Sequence, residues 1–162
     1  MITKFKIFES QNASDYKGKF FISPVYMREY DWKKEDFYIV LVNDIDFKWK
    51  IDSKPFSETK IWPRADCFTV MKDGEIKDPT GWGHHYTQEE FDNIEFMTPI
   101  EFYNKYTKLC EELYLKVIKD FAKFDNKVTQ RNWYSKTLKF YKDTLEKIPE
   151  LRHIADAEKY NL

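Results

Sequence analysis

Cysteine, glycine and arginine are all scarce in this chain. Only Cys67 and Cys110 occur among its 162 residues, so no disulfide framework is available and a reducing, cytoplasmic compartment is the expectation. The four glycines build no phosphate-cradling loop ahead of a helix, and no strained glycine-x-serine-x-glycine elbow is present. Long hydrophobic runs are missing too. The longest, Phe37 to Val42, is far too short to cross a bilayer, and the N-terminus alternates charged with apolar residues without a small-residue cleavage site. Neither a membrane span nor a signal peptide is expected. Charge of one sign is also lacking: 27 Lys and Arg against 28 Asp and Glu leave a formal net charge of -1. That balance argues against a global attraction to nucleic acid or membrane and leaves room for a local basic face.

What the chain has in abundance is aromatic residues, with 14 Phe, 11 Tyr and 5 Trp in an apolar share of 42%. A chain of this length buries about 70% of its unfolded surface, so one core needs neither a metal nor a disulfide to hold it. No glycine- or serine-rich linker, repeat or low-complexity segment divides it. The expectation is a single soluble α+β domain over residues 1–162, β-rich over 1–97 and helical over 98–162.

In the first half, Lys4 to Ile7 and Phe47 to Ile51 alternate with period two, as half-buried strands do. Phe37 to Val42 is continuous, β-branched and aromatic, which suits a central strand covered on both faces. With Asn43-Asp44 able to turn the chain, a hairpin from about Phe37 to Ile51 is expected. A second hairpin is signalled by Phe68 to Met71, the turn Asp73-Gly74, and Glu75 to Lys77. Phe20 to Ile22 and Lys60 to Trp62 are shorter strands, stopped by Pro24 and Pro63 and suited to edges. Five or six strands in a small, mainly antiparallel sheet follow.

The period changes at Thr98-Pro99-Ile100-Glu101, which supplies an N-cap, a first-turn proline and a capping-box glutamate in order. Phe102, Tyr106, Leu109, Leu113, Val117 and Phe121 then predict a helix over about Pro99 to Lys123. Asp125 can cap a second long helix, whose stripe runs through Tyr134, Leu138, Tyr141, Leu145 and Ile148. Pro149 ends or kinks it, and Leu151, Ile154 and Ala155 support a short final helix. A helical hairpin packed over one face of the sheet is the simplest architecture.

One segment is built differently from core. In Asp78 to Thr87, Gly81 and Gly83 flank Trp82, and His84, His85 and Tyr86 follow, with Thr87 and Glu90 able to cap a short helix through Phe91. Glycines admit a ligand to the backbone, a tryptophan offers a stacking face, and imidazole exchanges protons near neutral pH. Trp82, His84, His85 and Tyr86 are therefore the candidate ligand-binding residues, with His84 and His85 the candidate acid/base groups. The plainer alternative makes this an ordinary structured loop, with Trp82 plugging the end of the sheet. His85-Tyr86-Thr87 resembles one half of the histidine-x-threonine pair of two-histidine phosphoesterases, a family that needs the motif twice. Here His84 precedes His85-Tyr86 and His153 precedes Ile154-Ala155, so the second half is missing.

Other chemistry has less to stand on. No metal is expected, since adjacent histidines in an extended segment point apart and only Asp66, Cys67 or Asp78 could complete a site. Both cysteines read as small buried hydrophobes, although a Cys67 thiolate served by His84 or His85 stays open. Glu89 and Glu90 read as favourable charges in a helix's first turn. Lys48, Trp49 and Lys50, or Lys136, Lys139, Phe140 and Lys142, could meet phosphates and stack bases, while the plainer reading of the second set is a solvated helix face.

The four arginines, Arg28, Arg64, Arg131 and Arg152, are far outnumbered by lysines, a bias of AT-rich coding. The opening Lys4-Phe5-Lys6-Ile7-Phe8-Glu9-Ser10 resembles the start of many small uncharacterised proteins of large tailed bacteriophages. The resemblance implies a setting in the cytoplasm of an infected bacterium and carries no activity. Taken together, the expected function is non-catalytic binding by a phage-encoded accessory or host-interacting factor, through an aromatic surface and with a protein partner and no cofactor. A small hydrolase or phosphoesterase using the Trp82–His85 loop on a nucleotide-like small molecule is the alternative from another class. A single-stranded nucleic-acid binder is the third.

Overall fold

The structure, a computed structural model, describes residues 12–24, 36–53, 56–79, 85–124 and 133–160. The expected strand at Lys4 to Ile7 and the cap at Asp125 lie outside these residues. The strands are β1 (Phe20–Pro24), β2 (Phe37–Leu41), β3 (Asp44–Ser53), β4 (Phe56–Arg64) and β5 (Cys67–Val70). The helices are α1 (Gln88–Asp92), α2 (Pro99–Lys105), α3 (Thr107–Phe124), α4 (Trp133–Leu145) and α5 (Pro149–Tyr160). The arrangement is α+β, with antiparallel strands in the first half and most of the helices in the second.

The five strands make two sheets where one was expected: β1-β2-β5, and a ribbon of β3 with β4. The hairpin expected over Phe37 to Ile51 is corrected by the same finding. Both edges of β2 are occupied, Ile39 pairing with Ile22 of β1 and with Phe68 of β5, so β3 cannot fold back onto it. Instead the Asn43 N–H donates to the Arg64 carbonyl at 3.1 Å and leads the chain into the second sheet. The Asp73-Gly74 turn forms as expected. Gly74 takes a φ of 89°, which favours glycine, and Val70 bridges Ile76 across it.

Alternation along the strands explains the layers. Phe20, Ile39, Leu41, Phe68 and Val70 face the helices and share a core with Phe102, Cys110, Leu113, Tyr114, Val117, Leu138, Tyr141, Leu145, Ile148 and Leu151. Their neighbours Phe21, Val40 and Cys67 face the other way, joining Ile45, Ile61, Tyr86 and Phe91 in a second core. The three-stranded sheet is thus buried on both faces, as the unbroken apolar run of β2 requires.

Both capping boxes are present: Thr98 with Glu101 starts α2 and Thr87 with Glu90 starts α1. The expected helix over Pro99 to Lys123 is broken at Tyr106, whose φ of -132° and ψ of 50° are not helical. The Thr107 hydroxyl donates to the Tyr103 carbonyl at 2.9 Å, the acceptor its own backbone N–H would use in an unbroken helix. The break turns α2 so that Phe102 stacks on Phe20 at 4.7 Å, while α3 packs along α4.

Tyr141 joins the helices to the sheet. Its ring packs edge-on to Phe68 at 4.7 Å, and its buried hydroxyl fills the fork where β5 parts from β2. That oxygen accepts the Leu41 N–H at 3.2 Å and lies 2.7 Å from the Asp66 carbonyl and 3.0 Å from that of Ile39, either of which can take its proton. Among the described residues no helix is long and apolar enough to cross a membrane.

Two outcomes follow for stability. Leu113→Ala and Leu138→Ala each delete a fully buried side chain from one shared core and should cost about 2–5 kcal/mol, read from urea midpoints. Tyr141→Phe keeps the ring but strands the Leu41 N–H and the Asp66 carbonyl. A loss of about 1–3 kcal/mol is expected by the same measurement, and no loss would show that the hydroxyl is dispensable.

Candidate functional site

On β4, Ile61 and Pro63 are buried against the second core. The intervening residues Lys60, Trp62 and Arg64 therefore take the opposite, outer side. Tyr86 adds one residue to this sheet: its N–H and carbonyl bond the carbonyl and N–H of Ile61, both at 2.8 Å. Its side chain turns inward, 7% exposed, with the hydroxyl 2.8 Å from Ser23 Oγ and the ring edge-on to Phe21. The preceding residue then points outward. His85 lies against Trp62, ring centroids 5.4 Å apart, and the Arg64 guanidinium sits 5.3 Å from the Trp62 ring. Arg64 also reaches Asp46 at 3.4 Å, both groups being partly open to solvent.

Of the four candidate residues, His85 and Tyr86 are placed on opposite sides of the sheet, whereas Trp82 and His84 lie outside the described residues. Burial, followed by the charge of Lys60, lowers the His85 pKa from its ordinary 6.5. The imidazole is therefore neutral at neutral pH. Lys60, Trp62 and His85 each make further interactions within the chain.

The remaining candidates have structural surroundings. The Cys67 thiol is buried and raised to about 12 by burial and the neighbouring Asp66, and that of Cys110 is raised to about 12 by burial and Glu111. Thiols so high are poor nucleophiles at neutral pH. Asp66 accepts the Trp133 indole N–H at 2.6 Å and the Thr137 hydroxyl, anchoring the first turns of α4. Asp78 accepts from Lys116 at 2.8 Å, and Lys116 also donates to Asp120. Asp120 is nearly buried; burial pushes its pKa up, but the bonds from Lys123, Lys116 and Tyr134 outweigh it and hold the carboxyl below the usual range. Among the described residues no three His, Cys, Asp or Glu side chains converge as metal ligands would. His153 is exposed on α5, and Glu90 serves its capping box.

The residue that sequence reasoning missed is Trp62. Its stretch looked like a short strand cut by Pro63, and the available signal was the alternation of Lys60, Trp62 and Arg64 itself. No protein-family model, curated protein or solved structure matches the chain.

The lowered His85 pKa has a defined sign. The folded chain holds this proton less readily than the unfolded chain, so the stabilisation is complete above about pH 6.5 and declines as pH falls below it. Between pH 7 and 5 the wild-type urea midpoint should therefore fall more steeply than that of His85→Gln. Parallel curves would remove the basis for a desolvated imidazole.

Proposed function

We propose that this chain is a non-catalytic binding protein whose contact surface is the outer face of the β3–β4 ribbon around Trp62. The observation that carries the reading is the Arg64–Trp62–His85 cluster, with the guanidinium over the Trp62 ring and the His85 ring tilted against it. Elsewhere among the described residues the aromatic surplus is largely spent on the two cores, where Phe20, Phe21, Phe68, Phe91, Phe102, Tyr114 and Tyr141 are fully buried. The exposed large side chains Ile100, Trp133 and Tyr160 are spread over three helices, and the Trp133 indole is engaged with Asp66. At Trp62, by contrast, an aromatic ring and a guanidinium share one sheet face, the residue types in which binding hot spots are rich. The phage-like opening supports an accessory or host-interacting role in the cytoplasm of an infected bacterium.

Affinity capture from the native cell, compared between wild type, Trp62→Ala and Arg64→Glu, tests this reading. Both variants should lose the specifically captured component by about 30-fold or more, the scale of a hot spot, while remaining folded by thermal unfolding. Ile100→Asp, on α2, should capture it as wild type does. Equal capture by all four proteins would overturn the assignment of the surface.

A further inference from the structure

We infer that the ligand of this ribbon face is a single-stranded nucleic acid; the inference rests on the binding role proposed above and specifies its partner. The first observation is spacing. In β4, Lys60, Trp62 and Arg64 follow one another at alternate positions, so a ring lies between two cations along a line of about 13 Å. The second is register. The fold sets Trp49 of β3 opposite Lys60, a position on the Trp62 face, whereas the Lys50 position, opposite Thr59, belongs to the other face. Two stretches with the chemistry of phosphate contact and base stacking, far apart on any helical or loop reading, become neighbours in one ribbon.

The third observation is charge. Residues 47–51 and 59–65 contain four cations, Lys48, Lys50, Lys60 and Arg64, and no carboxylate, in a chain whose overall charge is -1. Four acids flank these stretches, Asp46, Asp52, Glu58 and Asp66; Asp46 is the cross-strand partner of Trp62 and holds Arg64 through a 3.4 Å contact, with the Arg64 side chain half exposed. A phosphate can replace that partner at little cost, because an exposed pair of this kind contributes little. Arg64 need not leave Trp62 for a base to bind, since guanidinium planes themselves stack bases and extend the platform. Aromatic faces recruit bases only when they are unpaired, which selects a single strand over a duplex. A protein partner would instead call for an apolar centre ringed by polar groups, whereas here the ring lies between charges.

The test is fluorescence anisotropy with labelled 20-nucleotide single strands, DNA and RNA, and with the matching duplex. Wild type should bind single strands better than duplex, with affinity falling as salt rises by a log–log slope of about -1.4 if Lys60 and Arg64 both meet phosphates. Trp62→Ala should weaken binding about 5- to 150-fold, Trp62→Phe should retain most of it, and Lys60→Gln with Arg64→Gln should flatten the slope by about 1.4. Thermal unfolding of each variant separates lost contacts from lost fold, and the charge variants keep the test valid should Trp62→Ala unfold. Absence of single-strand binding at 50 mM salt, equal affinity for duplex, or binding indifferent to Trp62 and to the charge pair would overturn the inference. If single strands fail while a protein is captured in a Trp62-dependent manner, the nucleic-acid partner is wrong and the binding surface stands. If both fail, the surface itself is wrong.

Discussion

The Tyr141 hydroxyl ties the helices to the three-stranded sheet and to the link between the two sheets. A phenol buried in apolar surroundings is costly unless its oxygen is bonded, and here it serves the backbone groups freed where β5 diverges from β2. One of those groups belongs to Asp66, in the short link between β4 and β5, so the contact anchors the segment that joins the two sheets. The Asp66 carboxylate meanwhile holds Trp133 and Thr137 at the start of α4. Helix, sheet and ribbon are tied to the same residue, and the tie leaves Ile61 and Pro63 facing inward and the Trp62 side of β4 facing out.

How much of this was legible depends on the range of the interaction involved. The central place of β2 was visible because its burial is written locally, as six successive apolar residues, and the capping boxes at Thr87 and Thr98 because each is completed within four residues. The pairing of strands was not. Nothing within Phe37 to Ile51 reveals that β1 and β5 claim both edges of β2, because that competition is decided by residues tens of positions away. The break at Tyr106 also escaped notice: it involves no glycine or proline, and it is the fit of Phe102 on Phe20 that rewards it. At the candidate site the glycines and histidines around Trp82 drew attention, yet side-chain direction in an extended segment flips with each residue. His85 and Tyr86 could not be told apart until the Ile61 pairing fixed which of them faces the core.

The helical half handles its charges differently from the ribbon. Lys108 with Glu112, Lys139 with Asp143 and Lys142 with Glu146 pair one turn apart, and Asp120 gathers two lysines and a tyrosine. Other cations reach outside their own helix, Lys105 to Glu95 and Lys116 to Asp78 as well as to Asp120. In the ribbon Arg64 pairs across the strands with Asp46, the cross-strand partner of Trp62, and both groups are partly open to solvent.

In the binding role proposed, local charge would let a near-neutral chain offer a surface suited to anions. Net charge governs attraction at long range, over distances that physiological salt screens beyond roughly 8 Å. A ligand held by stacking needs only short-range charge, placed within a few ångströms of where its phosphates fall. Lys60 and Arg64 on either side of Trp62 supply that placement through strand periodicity alone, without making the molecule basic. Among the described residues, most aromatic rings close the two cores, while Trp62 takes the outer side of the ribbon they support.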